Sequence, residues 1–364
     1  VSDGLACYDG MPMFTPSPLP RNLEASFRDL GSERVSTRVS AIQDVVRHAL
    51  RSDATRGRAI PQFAKALRGD SSAEVRVAAA VALADVVAQE ALPALLVAVE
   101  DDDGQVRQMA LSALGEIGDP RASQRLERAL GDGRPEVRYQ AVIAFARVAK
   151  DDGAAVATAL SRALDDHDAA IRYIAMRVAE ERLAIDADPE PTRSAAIAAS
   201  AEQLVEDPDD ALAVVAALYL ARLGRPRGRA IVLDVVAERR STPEIEDEQA
   251  CVELAGELPL DDAIPHLERR AWGTRRLVRT LLSWGAGDGA SCAWHARIAL
   301  ARMGHERARA EILADLASWR RETREAAVVA AGRARIGEAR DLLETLGESV
   351  DAALVREALV RLAV

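Results

Sequence analysis

Aromatic side chains are scarce. Phe, Trp and Tyr make up 3% of the 364 residues, although 49% are hydrophobic. The apolar content is mainly Ala, Leu and Val, which suits closely spaced helices better than a sandwich or barrel built on aromatic and β-branched side chains. Three cysteines, Cys7, Cys251 and Cys292, are too few and too scattered for a disulfide framework and fit a reducing compartment. Lysine is rarer still: Lys65 and Lys150 stand against 45 arginines, a bias to which no function is attached. The longest apolar run, residues 211–221, has 11 residues, short of the roughly 18 that would mark a membrane span. The first residues lack the basic-then-apolar layout of a signal peptide, so the expected location is the cytoplasm. Val1 is an unusual first residue, and Met11 and Met13 are candidate starts. The net charge of −11 excludes a chain built as a whole to coat nucleic acid or an anionic membrane.

Beyond these absences, the sequence has a repeat. The strings EVRVAAAVAL (74–83), QVRQMALSAL (105–114), EVRYQAVIAF (136–145) and AIRYIAMRVA (170–179) share an apolar residue, an Arg and an Ala three residues later. Their arginines, Arg76, Arg107, Arg138 and Arg172, recur at intervals of 31, 31 and 34, and Arg38, Arg324 and Arg356 extend the register. Between them Ala213, Glu248 and Ala293 hold the same position, because 220–236, 254–270 and 300–316 all match LGEIGDPRASQRLERAL at 114–130. Ten units of about 35 residues lie in the range of helical repeats.

Each unit predicts two helices. Ala122, Leu126, Ala129 and Leu130 line one face of a first helix, the polar break GDGRPE follows, and Val137, Ala141, Phe145 and Val148 line one face of a second. Pro120 and Pro135 fall near helix starts, where a missing N–H costs little. Asp132 and Asp166 fall in the turns, placed to accept from unpaired first-turn N–H groups. A lone helix pair buries too little area to offset ordering about 35 residues at roughly 1.5 kcal/mol each, so the units must stack. The expected fold is an all-α solenoid over residues 22–364 behind an extended Pro-rich tail over 1–21, with a concave surface as the default binding site.

The pattern resembles the HEAT repeat, in particular the short form VRxxAAxALGxIGDPRA of phycobilisome-lyase-like HEAT proteins, over nearly all of residues 30–364. The resemblance implies a polar ladder in which a turn Asp and the second-helix Arg stack from repeat to repeat. Carried over, its members are Asp70–Arg76, Asp101 or Asp102–Arg107, Asp132–Arg138 and Asp166–Arg172. Fold alone does not name a function, since such arrays serve many tasks.

Two departures interrupt the frame. IDADPEPTRS (185–194) lengthens one interval to 41, read as a hinge or longer connection. The interval from Glu248 to Ala293 reaches 45, and the surplus at 271–292 carries Trp272, Arg275, Arg276, Arg279 and Trp284, with Trp294 and Trp319 following. Residues 269–340 hold 15 Arg against seven Asp or Glu, a net of +8. Trp and Arg inserted in an Ala–Val array have the composition of an interaction hot spot; the competing reading is that the tryptophans fill gaps in an irregular stack.

Catalytic readings find little support. Deoxyhypusine hydroxylase, a HEAT protein, binds two irons through several His-Glu pairs; this chain has one, His305-Glu306, and no metal or cofactor is expected. HEAT-like DNA glycosylases place a Trp and an Asp four residues apart, a spacing Trp284 and Asp288 share, but Gly285, Gly287 and Gly289 interrupt the segment. No residue pattern supports phycobilin lyase chemistry. No C-x-x-C, phosphate loop or nucleophile elbow occurs. The expectation is a non-enzymatic adaptor for a protein partner. The alternative is a protein that acts on nucleic acid through its basic C-terminal third.

Overall fold

The computed structural model describes residues 22–185, 191–273, 288–346 and 349–363. The expected 1–21 tail, most of the hinge, and Arg275, Arg276, Arg279 and Trp284 in the insertion lie outside them. Among the described residues there are twenty α-helices and no strand. They run α1 (Leu23–Asp29), α2 (Val35–Ala49), α3 (Asp53–Gly69), α4 (Ala73–Asp85), α5 (Leu92–Ala98), α6 (Gly104–Ile117), α7 (Ser123–Ala129) and α8 (Pro135–Val148). Then come α9 (Gly153–Leu164), α10 (Ala169–Ile185), α11 (Pro191–Leu204), α12 (Asp210–Arg222), α13 (Pro226–Val236) and α14 (Ile245–Glu257). The last are α15 (Ile264–Trp272), α16 (Asp288–Arg302), α17 (Glu306–Leu316), α18 (Arg321–Arg333), α19 (Arg340–Thr345) and α20 (Ala352–Ala363). Each odd-numbered helix pairs with the even-numbered one after it, and every register residue from Arg38 to Arg356 falls on the second helix of a pair.

The pairs form two compact units, one ending at Val148 and the other beginning at Ala149. In the first, the second helices α2, α4, α6 and α8 pack side by side in chain order. In the other, α10, α12, α14, α16, α18 and α20 do the same. Turn chemistry fits the sequence reading. Asp103 caps α6 by accepting from the Gln105 and Val106 N–H groups, Asp152 caps α9 and Asp209 caps α12. Asp132 and Asp166 act one step earlier: each accepts from the N–H two residues on, of Arg134 and Asp168, and closes the turn before the helix begins.

The core is made of small side chains because the second helices come close together. Where α14 meets α16, a Cβ on Gly256 would lie 2.5 Å from the Ala299 Cα, nearer than real atoms approach. Gly332 of α18 meets Ala358 of α20 at 2.8 Å in the same way. Helix propensity alone would disfavour a mid-helix glycine by about 1 kcal/mol, so backbone contact is what keeps it. Gly57, exposed in α3, has nothing within 4 Å of where its Cβ would stand. Gly256→Ala is therefore expected to destabilise by about 1–3 kcal/mol through overpacking, and Gly57→Ala to stabilise by about 0.5–1 kcal/mol. Urea unfolding of the two variants reads both signs; a stabilising Gly256→Ala would mean that α14 and α16 do not touch there.

Candidate functional site

The register arginine is the first polar feature the repeat builds. Arg38 donates Nε and Nη2 to the two carboxylate oxygens of Asp70, each at 2.8 Å. Arg76 holds Asp101 in the same side-on manner, and Arg107 holds Asp132. This bidentate geometry is among the strongest polar contacts available to a side chain. The third nitrogen, Nη1, donates to the carbonyl six residues earlier: Arg76 to Asp70, Arg107 to Asp101, Arg138 to Asp132 and Arg172 to Asp166. The pairing thus differs from the one carried over with the resemblance. Within a repeat the Arg meets the turn's carbonyl, and the carboxylate it grips belongs to the turn of the following repeat. Asp102 leaves the carboxylate ladder: its carbonyl accepts from Arg107 at 3.3 Å, while Asp101 supplies the carboxylate to Arg76. Burial pushes the carboxyls of Asp70, Asp101 and Asp132 up, but the arginine hydrogen bonds and the turn N–H outweigh it and hold all three below the usual range.

In the second unit the ladder changes. Arg172 reaches Asp207 at 3.4 Å. At Glu248 the sign inverts: the second helix carries the carboxylate, and Arg270 of α15 donates Nη1 to it at 2.5 Å, with its other nitrogens on the carbonyls of Val235 and Val236. Arg324 donates to the carbonyls of Ser318 and Ser349.

The same register defines a second surface. On each second helix the positions one, two and five residues after the register residue share a face. In the first unit the residues at one are Val39, Val77, Gln108 and Tyr139. Those at two are Ser40, Ala78, Met109 and Gln140, and those at five are Gln43, Val81, Ser112 and Ile143. None is buried and none is charged, in a chain with 29% charged residues. Nine residues after the register every helix turns charged, with Arg47, Asp85, Glu116 and Arg147. Glu116 and Arg147 pair with each other, and Arg47 with Asp44.

On α10, α12 and α14 the corresponding face of the second unit is largely taken up by internal contacts. Helix α12 is apolar all round, and Ala211 to Ala221 are buried to 8% exposure or less. Side chains from α10 and α14 meet across it. The Tyr173 hydroxyl donates to the Asp247 carboxylate at 3.1 Å, and Arg177 Nη1 lies 3.1 Å from the other oxygen. Asp247 is 0% exposed, and burial pushes its carboxyl up to about 6, only partly opposed by Arg177 and Tyr173. Nearby, Arg222 joins Glu180 at 2.5 Å and Glu257 at 2.6 Å, and Arg302 also reaches Glu257. Glu253 receives Arg333 at 2.5 Å and lies 3.2 Å from His295.

The expected partner-binding tryptophans separate. Trp272 is half-buried: its Nε1 donates to Glu311 at 3.0 Å and Arg307 stacks 4.1 Å from its ring. Trp294 is half-buried and lines a cleft between α16, α17 and α18. Trp319, in the turn before α18, is 83% exposed with Arg320 over its ring. Many arginines of the basic third are engaged by carboxylates: Arg309 by Glu338, Arg321 by Glu325, Arg302 by Glu257 and Arg333 by Glu253. His305 caps α17 through Nδ1, with Nε2 3.0 Å from Glu268. Cys251 is buried. Among the described residues no helix is long and apolar enough to cross a membrane, and no group of three or more His, Cys, Asp or Glu is placed to hold a metal.

Residues 60–146 match the family model of HEAT repeats, so this stretch of the chain is a run of HEAT repeats. No curated protein matches the chain. Solved structures similar to it include the complex of CpcE and CpcF of phycocyanin lyase from Nostoc sp. PCC7120, at 18% identity over 71% of this chain and 97% of that one, TM-score 0.43. An engineered protein matches at 19% identity over 94% and 98% of the two chains, TM-score 0.42. A designed armadillo repeat protein matches at 20% identity over 55% and 99%, TM-score 0.41.

Two predictions follow from the polar contacts. Replacing Arg107 with Ala leaves a half-buried carboxylate and a turn carbonyl without their donor, at an expected cost of about 1–3 kcal/mol. Asp101→Asn should fall in the same range. Asp102→Asn and Arg128→Ala, both exposed, should cost about 0.5 kcal/mol or less; equal losses across the four in urea titration would reduce the ladder to surface charge. Asp247 has the opposite sign. Its folded pKa of about 6 lies above the ordinary 3.8, so its contribution is full below about pH 4 and is lost as pH rises through 6. Asp247→Asn should therefore gain on the wild type by up to about 3 kcal/mol between pH 4 and 7. A stability difference that is flat across that range would mean Asp247 is fully compensated by Arg177.

Proposed function

We propose that the protein is a non-catalytic scaffold whose protein partner lies along the uncovered face of α2, α4, α6 and α8. The observation that carries this reading is the twelve-position uncharged strip on those helices, bordered by the self-neutralised arginine ladder on one side and a charged row on the other. A solvent-facing surface of Val, Met, Ile, Tyr, Gln, Ser and Ala desolvates at little cost, while its amides and hydroxyls can satisfy a partner's backbone. The other unit spends many of the equivalent positions, on α10, α12 and α14, on its own ion pairs and on covering α12. Trp319 adds a second contact of the expected Trp–Arg kind, since it is the one tryptophan of the described set presented mostly to solvent.

The experiment is affinity capture from the native host with charge placed in the strip. Val81→Glu and Met109→Glu should each lower recovery of the wild-type partner by at least about tenfold, because a partner must then bury an unpaired carboxylate. Val97→Glu, at a position 61% exposed on the first helix α5, should leave it unchanged. Undiminished capture by both strip variants would move the binding surface elsewhere. A partner that proves to be nucleic acid, with binding that collapses steeply in added salt, would replace the reading altogether.

A further inference from the structure

We propose that the cleft between α16, α17 and α18 is a binding site for one basic side chain, arginine or lysine, presented by a protein partner. The source of that side chain rests on the scaffold reading; the site can be tested without it. The cleft has a volume of about 280 Å³, room for a single long side chain rather than a cofactor. It is lined by the Trp294 indole and by the buried Ile298 and Ile312. Two carboxylates stand at its edge, Asp315 near the end of α17 and Glu322 in the first turn of α18.

The charge balance decides the ligand. Among the described residues the cation lining the cleft is Arg297, which lies 3.8 Å from Glu311. Nearly every other carboxylate of this unit's second-helix face is paired, as Glu180, Glu253 and Glu257 are. Asp315 and Glu322 make no ion pair among the described residues. Among the described residues they therefore stand as two acceptors with no charged donor, beside an aromatic ring and apolar side chains. A basic side chain matches all three features: its methylene stem covers the isoleucines, its head sits near the indole, and its N–H groups reach the carboxylates. An anionic ligand would face both carboxylates, and a purely apolar one would leave them nothing to bind. The indole already lies 5.7 Å from one guanidinium, that of Arg333, whose charge is taken by Glu253.

The test uses two short peptides, acetyl-Gly-Arg-Gly-amide and its citrulline counterpart, which has the same shape without the charge. The chain has four tryptophans, so the Trp294 indole N–H resonance can be assigned by its loss in Trp294→Phe. The arginine peptide should shift that resonance saturably, and the citrulline peptide should bind at least about tenfold more weakly. Asp315→Asn/Glu322→Gln should abolish the difference while leaving the other indole signals in place, which shows the fold intact. No shift of the Trp294 signal up to about 10 mM arginine peptide, or equal binding of the two peptides, overturns the proposal. Failure of the strip variants to lose their partner would leave this result standing, so the two readings can fail separately.

Discussion

In the first unit the turn between the two helices of a repeat presents a carboxylate gripped by the arginine of the repeat before it, and the stacking of that unit rests on this contact. The guanidinium of Arg76 reaches back to the carbonyl of Asp70 and forward to the carboxylate of Asp101, so a single side chain closes its own turn and fixes the next. Arg107 does the same between Asp101 and Asp132. A helix pair cannot bury its apolar face alone, and hydrophobic contact between Ala-rich helices is tolerant of sliding. The rung supplies the direction that the core lacks, because two parallel hydrogen bonds to a carboxylate hold only in one register.

Much of this was legible in the sequence. The spacing of Arg76, Arg107, Arg138 and Arg172 located the second helices, and the frame marked by Ala213, Glu248 and Ala293 located those without the arginine. The partner of each arginine was not legible to within one repeat. Asp70 and Asp101 both lie close to Arg76 in sequence terms, and only the stacking of one turn on the next decides which oxygen it meets. The clasp of Tyr173 and Arg177 on Asp247 was hidden for a related reason. It joins residues 74 positions apart across a helix whose inner face is too small to hold them apart. The eleven-residue apolar run at 211–221 was the signal: a solenoid helix with no polar side has to be covered from both sides.

Charge placement then separates the two units by use. Both carry the same register, so positions one, two and five after the register residue are candidates for contact in both. In the first unit they are uncharged and none is buried, and on the second helices charge gathers at the ladder and at the row of Arg47, Asp85, Glu116 and Arg147. In the second unit Tyr173, Arg177, Glu253 and His295 occupy those positions and are bound internally. A face whose charges are already paired makes a poor recognition surface, since a partner must break each pair before it gains anything.

That argument also locates what the second unit has left to offer. Its basic stretch, net +8 over residues 269–340, reads as a nucleic-acid surface when charges are counted along the chain. Counted in space, many of those arginines face a carboxylate: Arg302 and Arg333 on α14, Arg309 on Glu338, Arg270 on Glu248. A phosphate backbone is recognised by cations free to displace counterions, and arginines already held by carboxylates contribute weakly to that exchange. The unbalanced groups among the described residues of this region include two carboxylates, Asp315 and Glu322, beside Trp294. Carboxylates thus take up many of the region's cations, and the charge counted along the sequence overstates the free positive charge a partner meets.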